Sequence, residues 1–410
     1  MKHPTRPPRL FLSPPWVDVA ERHAVQVAFD SGYIAPCGPQ VDEFERRLAR
    51  LAGRRHAVAV SSGTAALDLL MEEFAVGPET TVIAPTLTFI ATVGPARHRG
   101  AKIVFVDSDE TGNVDLGLLE RALAKHPGKG TIFIGVDLYG RCMDYAAVTR
   151  LCRRYGVTFL CDSAEAVGAK SAGKPAGSAG VAAVYSFNGN KIVTTSGGGA
   201  ILTDDAGIAA RAKKRSQQSR EPVPWYEHRE VGFNYRLSNL LASVGLAQLR
   251  KLSVILRRRK GNYDFYARSL CFSSSQKGPV PMKDGTLPRA GMESLPPVAG
   301  ENHWLTIALT ANRAARDRAL AALEAANIEA RPVWKPLHLQ PVFKGCEFWG
   351  GKVAETLFRC GLCLPSGSGL TDVDRQRVAE ALQQSGIGGN RRVQAKISTD
   401  STKKKERNLP

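Results

Sequence analysis

Short apolar runs alternate with longer stretches of mixed polarity between residues 56 and 203. The runs cover 56–60, 81–84, 102–106, 131–136, 158–161, 182–187 and 200–202. Most are rich in Val, Ile and Phe and too short for helices, which predicts strands buried on both faces. Between them, 64–74, 116–125 and 145–155 read as helices. Strands and helices in alternation predict an α/β fold around a mostly parallel central sheet. In such sheets ligands gather beyond the carboxyl ends of the strands.

After Asn239 the pattern changes. Leu246, Leu249, Leu252 and Leu256 are spaced three, three and four apart, which puts them on one face of a single long helix over 238–268. A Gly/Pro-rich stretch over 277–300 reads as irregular connection. A strand (303–309), a helix (313–326), a strand (329–334) and a last helix from Thr371 complete a small α+β domain. Thr371 and Asp374 match a capping box with Asp in the place of the usual Glu. The predicted layout is a large α/β domain over 1–240, a long helix and small C-terminal domain over 241–388, and a polar tail over 389–410. No internal repeat is visible.

A chain of 410 residues is too long for one simple core, which agrees with two domains. No apolar stretch is long enough to span a bilayer. Residues 1–9 carry charge and prolines without the apolar core of a signal peptide. The expectation is a cytoplasmic protein with no membrane partner, and a chain this large does not need its eight cysteines as disulfides. Cys360 and Cys363 form a lone pair with no second pair at zinc spacing, so packing is expected there and no metal. The net charge is +18, of which the tail from Arg391 supplies seven basic and two acidic residues. That tail lacks apolar periodicity and reads as disordered. No helix-turn-helix, zinc-finger or aromatic RNA-binding signature accompanies the charge, so nucleic acid is not the predicted partner.

Chemistry enters with Lys191. It lies five residues past Ser186, in a Gly/Asn-rich turn (Ser186-Phe187-Asn188-Gly189-Asn190-Lys191) that follows an apolar run. The serine and the turn amides suit an anion, and an amine beside a phosphate cradle is what a pyridoxal-phosphate Schiff base needs. Ser61-Ser62-Gly63-Thr64 follows the first strand and opens a helix, which makes it either a phosphate site or a plain N-cap. Phe89 follows the second strand and either stacks on a flat heteroaromatic ring or packs in the core. Asp162 immediately follows the fifth run; a carboxylate there pairs with a protonated pyridine nitrogen or caps a helix. Glu165 lies three residues on, within reach of a ring hydroxyl. Phosphate loop, aromatic, strand-end Asp and Ser-x-x-x-x-Lys come in the order of a fold-type-I pyridoxal-phosphate enzyme.

Over residues 10–385 the chain resembles the DegT-type nucleotide-sugar aminotransferases. The matching segments are 33–39, 61–66, 85–89, 161–165, 186–191, 220–222, 232–239 and 331–338. The resemblance implies an aspartate-aminotransferase-like fold and a homodimer with shared sites. It implies that Lys191 carries the cofactor and moves a proton, and that Asp162 pairs with the ring nitrogen. Glu165 would contact the ring hydroxyl, and Phe89 would stack on the ring. Gly63, Thr64 and Ser186 would hold the phosphate beside Asn188. Asn234 would reach the phosphate from the neighbouring subunit. Trp334, Lys335 and His338 would line the nucleotide-sugar side, unless Trp334 only packs. The Asn188–Lys191 and Trp334–His338 blocks look most like enzymes that aminate C4 of UDP-linked 4-keto-6-deoxy sugars with L-glutamate. The GDP-perosamine-forming branch is the first alternative; a non-catalytic, basic nucleic-acid-associated protein is the second, and it would explain the charge but not the cofactor constellation. Relatives that act as sugar 3-dehydratases carry a histidine where this chain has Lys191. Trp16 stands where relatives often have a small or polar residue.

Overall fold

The computed structural model describes residues 7–270, 272 and 292–386. The predicted tail and most of the Gly/Pro-rich connection lie outside them.

The strands are β1 (His56–Val60), β2 (Thr81–Pro85), β3 (Lys102–Val106), β4 (Thr131–Val136), β5 (Thr158–Asp162), β6 (Lys170–Ser171), β7 (Lys174–Pro175), β8 (Ala182–Ser186), β9 (Gly199–Thr203), β10 (Glu293–Ser294), β11 (Thr306–Leu309), β12 (Arg331–Pro332), β13 (Glu347–Trp349) and β14 (Gly361–Leu364). Eight form one sheet in the order β1-β9-β8-β5-β4-β2-β3-β13. Every neighbouring pair from β8 to β13 is parallel, while β9 runs antiparallel to both β1 and β8. The predicted runs 56–60, 102–106 and 131–136 coincide with β1, β3 and β4.

Both faces of this sheet are covered, which is why its strands read as unbroken apolar runs. Val104 and Val106 of β3 face one core cluster with Phe133 and Phe159. Ile103 and Phe105, one residue out of step, face a second cluster with Ile132 and Leu160. A four-stranded antiparallel sheet, β10-β11-β14-β12, stands beside it, and β6 and β7 form a small hairpin. The edge strand β13 comes from beyond Asn239 and pairs with β3 through Glu347 and Val104.

The single helix predicted over 238–268 is two helices, Asn239–Arg250 and Leu252–Ser269, bent by 64°. Lys251 sits at the bend. Its ammonium lies 3.0 Å from Asp18 and 2.7 Å from Glu21, and 4.6 Å over the Trp16 ring. Two carboxylates outside the helix thus draw the residue out of it. The four leucines still join one core cluster, Leu246 and Leu252 buried and Leu249 and Leu256 partly so. Their spacing gives no hint of the bend.

The strand predicted over 303–309 starts only at Thr306. His303 is left-handed (φ 53°), and the Trp304 N–H turns back to the Asn302 side chain at 2.9 Å. The strand predicted over 329–334 is short as well, because the Glu329 N–H is engaged by the Leu10 carbonyl at 2.8 Å. The last helix begins at Asp372 with the Thr371–Asp374 capping box in place. No single helix among the described residues is long and apolar enough to cross a membrane.

Candidate active site

The carboxyl ends of β4, β5 and β8 open into a cavity of about 420 Å³. Nine of the residues singled out from sequence line it: Gly63, Thr64, Phe89, Asp162, Glu165, Ser186, Asn188, Lys191 and Trp334. They come from five segments of chain between residues 63 and 334, and the fold gathers them around one cavity.

The helix Gly63–Glu73 aims its N-terminus at the end of β8. Ser62 caps it, accepting from the Ala65 N–H at 2.9 Å. The Gly63 and Thr64 amides belong to the first turn and have no intrahelical acceptor. A Cβ on Gly63 would stand 3.1 Å from the Ser186 Cβ, and one on Gly199 would collide with the Ser62 backbone. Small residues therefore bring helix, hydroxyl and β9 together, leaving a concave cluster of donors that suits an anion.

Asp162 is buried at the end of β5. Its Oδ2 accepts from the Thr92 hydroxyl at 2.8 Å and its Oδ1 from the Ala164 N–H at 3.1 Å. Thr92 has one hydrogen to give, so the Thr88 hydroxyl, 2.7 Å away, donates to Thr92. Burial raises the Asp162 carboxyl above its usual range, against those bonds and the charge of Lys191. A cationic partner facing it would restore the ionised form.

The Lys191 Nζ lies 3.5 Å from Glu165 Oε1 and 4.0 Å over the Trp304 ring. Burial pushes Glu165 up to about 7, with Lys191 and the Tyr139 N–H acting the other way. That N–H donates to Glu165 Oε2 at 2.6 Å from a left-handed backbone (φ 54°), a strained state for a bulky residue. The Tyr139 hydroxyl accepts from the Trp334 N–H at 3.0 Å. Phe89, 57% exposed, meets Trp334 at 5.6 Å between ring centres.

Three predicted site residues do not line this cavity. His338 bonds the Thr86 hydroxyl through Nδ1 at 2.6 Å and stacks on Phe348 at 3.9 Å, which holds its ring elsewhere. Lys335 follows Trp334, and only Trp334 of that block reaches the cavity. Asn234 is exposed and pairs by backbone with Gln217. Residues missed from sequence are Trp304, Thr92, Tyr139, Glu329 and Arg331. Cys363, also in the cavity wall, is buried, which pushes its thiol up to about 12. Among the described residues no group of His, Cys, Asp and Glu could hold a metal ion.

The donor set fits pyridoxal phosphate: helix amides and Ser186 for a phosphate, a buried carboxylate for a ring nitrogen, and an amine between them. This is a fold-type-I, pyridoxal-phosphate-dependent aminotransferase. The chain belongs to the DegT/DnrJ/EryC1/StrS aminotransferase family, whose profile matches residues 16–383. It is 39% identical to the putative pyridoxal phosphate-dependent aminotransferase EpsN of Bacillus subtilis, over 91% of this chain and 95% of that protein. It is 34% identical to GDP-perosamine synthase of Caulobacter vibrioides, over 92% and 98%. Among solved structures it resembles the pyridoxal-phosphate form of the putative sugar aminotransferase Spr1654 from Streptococcus pneumoniae, with a TM-score of 0.81 and 25% identity over 92% and 98%. The chain is thus a sugar aminotransferase.

Proposed function

We propose that the enzyme moves an amino group from L-glutamate to C4 of a nucleotide-linked 4-keto-6-deoxyhexose, most naturally a UDP-linked 2-acetamido sugar, for surface glycan synthesis in the cytoplasm. The observation that carries this reading is Lys191 standing in one cavity with Asp162, Glu165, Ser186 and the helix end at Gly63. When bound there, pyridoxal phosphate supplies an electron sink for the charge left on a carbon that loses a proton.

The residues themselves divide the work. Gly63, Thr64, Ser186 and Asn188 bind the phosphate and fix the position of everything attached to it. Asp162, held by Thr92 and Ala164, keeps a positive charge on the facing ring nitrogen. Lys191, as a free amine, takes a proton from the amino donor and delivers one to the former ketone carbon of the sugar. Glu165 and the Trp304 face bracket its Nζ, so the proton is carried along a short path. Phe89 and Trp334 exclude water from one side of the cavity. Asn234, exposed in its own chain, is available to a second copy, and we propose a homodimer that shares its sites in this way.

A second reading, a GDP-linked 4-keto-6-deoxymannose substrate, is favoured by the 34% identity to a GDP-perosamine synthase. Incubation with L-glutamate and each keto-sugar, followed by mass spectrometry of the sugar product, separates them. Amination of the UDP substrate alone supports the proposal. Amination of the GDP substrate alone moves the assignment to the second reading, and no amination of either ketone sinks both.

A further inference from the structure

Arg259 is a fully buried cation with no carboxylate at ion-pair distance among the described residues. It lies in the helix Leu252–Ser269, outside the cavity lining, and is only 2% exposed. Burial alone pulls its guanidinium down to about 9, which leaves it charged at neutral pH. Its Nε–H finds no partner among the described residues. An uncompensated buried charge is costly, and most arginines escape to solvent or to an acid. What this one holds is therefore informative.

Its Nη1 donates to the Trp304 carbonyl at 2.6 Å and its Nη2 to the Ser13 hydroxyl at 3.1 Å. Ser13 then has its own hydrogen free for the Asn190 carbonyl, at 2.7 Å. The Trp304 indole N–H donates to the same carbonyl, also at 2.7 Å. The four residues close a ring, and the carbonyl on which it closes forms the peptide that leads into Lys191. The face of the Trp304 indole is also the surface over which the Lys191 ammonium rests.

We infer that Arg259 is a positioning residue for Lys191: one guanidinium fork fixes both donors that immobilise the Asn190 carbonyl and so sets where the lysine side chain starts. A fork with two fixed N–H groups does this where a point charge such as lysine holds only one leg. A cationic donor to Ser13 also strengthens the hydroxyl's own bond to Asn190. The charged groups facing Lys191 directly are Glu165 and Asp162, with Glu329 and Arg331 further out on the same cavity wall. Movement of the Lys191 amine relative to these is what a spectral titration would register.

The inference rests on Lys191 being the cofactor-bearing lysine, and its test keeps the two apart. The variants are Arg259→Gln, Arg259→Lys, Ser13→Ala and the double variant Ser13→Ala/Arg259→Gln, as holoenzymes, with Lys191→Ala as reference. The readouts are the pH midpoint of the cofactor absorption band, kcat against KM for L-glutamate, and Tm. Arg259→Gln is expected to move the midpoint by about half a pH unit or more and to lower kcat by up to about 100-fold, with KM changed much less. Ser13→Ala should shift the midpoint in the same direction, and adding it to Arg259→Gln should cost less than about twofold more. Folded Arg259→Gln with a native midpoint and kcat overturns the inference even if Tm falls, as do losses that multiply in the double variant. If Arg259→Gln does not fold, Arg259→Lys and Ser13→Ala decide: a native midpoint in both overturns it. A lysine-dependent band that survives Lys191→Ala would instead overturn the assignment of Lys191.

Discussion

The Thr92 hydroxyl donates to Asp162 Oδ2 at 2.8 Å, from a short helix after β2 to the end of β5, 70 residues later. Thr92 is itself held by Thr88. Burial raises the strand-end carboxyl, and a neighbouring connection supplies the hydrogen bond that opposes this most. Thr92→Val should cost about 1–3 kcal/mol of stability by leaving a buried acceptor unpaired. It should also raise the Asp162 carboxyl further. Urea unfolding would give the first figure; the acid limb of the pH–rate profile, moved to higher pH, would give the second.

Lys191→Ala should lower turnover by roughly 10²–10⁴-fold or more, the size of a lost proton-transfer group. Its circular dichroism should stay native, since Nζ contributes only the long contact to Glu165 and the ring contact to Trp304. A variant that turns over at near the native rate would remove Lys191 from the mechanism.

Glu165 sets a pH dependence with a definite sign. Its folded carboxyl titrates near 7, against 4.5 for the ordinary group, because burial disfavours the charge. The stability this contributes is full below about 4.5 and is lost as pH rises through 7, because the folded state binds the extra proton. The cofactor-free enzyme should thus lose roughly 3 kcal/mol from this group between those limits. Glu165→Gln should flatten that part of the curve. Equal slopes for both proteins in urea titrations at pH 5 and pH 8 would count against it.

The Lys251 bend can be weighed against a surface pair. Lys251→Met takes the cation from the buried Glu21 carboxylate, leaving it only the neutral Asp18 N–H and Gln248 amide donors, and should cost roughly 3 kcal/mol. Lys260→Met breaks an exposed pair with Asp264 and should cost under about 1 kcal/mol. Thermal unfolding of the two variants side by side checks the contrast.

Site sharing between subunits makes a statistical prediction. Lys191→Ala and Asn234→Ala proteins, each impaired, should regain about a quarter of native activity when mixed and allowed to exchange subunits. Half the dimers are then hybrids with one intact site. No recovery after verified exchange would place Asn234 outside its partner's site.

Much of this site was legible because its parts are local. A strand end followed by an acid, a glycine at a helix start and a lysine in a tight turn each leave a mark within six residues of sequence. The strand runs were legible because burial on both faces makes them apolar without alternation. Trp304 was not, because its role depends on contacts with Asn190, 114 residues away, and the sequence places it inside a strand that starts only at Thr306. Thr92 was hidden for the same reason. The break at Lys251 was hidden inside a continuous predicted helix, since the leucine spacing runs through it undisturbed and its carboxylates lie more than 200 residues earlier. His338 carries a signature residue type, yet its ring is occupied by Thr86 and Phe348, which no spacing rule reveals.

The edge strand β13 has a consequence for how the chain is made. Its partner β3 is synthesised about 240 residues earlier, so on the ribosome the large sheet carries an open, apolar parallel edge until residues 347–349 emerge. At typical elongation rates that interval lasts roughly 10–50 s. A nascent chain halted after the Leu252–Ser269 helix would hold the catalytic lysine and most of the cavity and still present that bare edge to other chains.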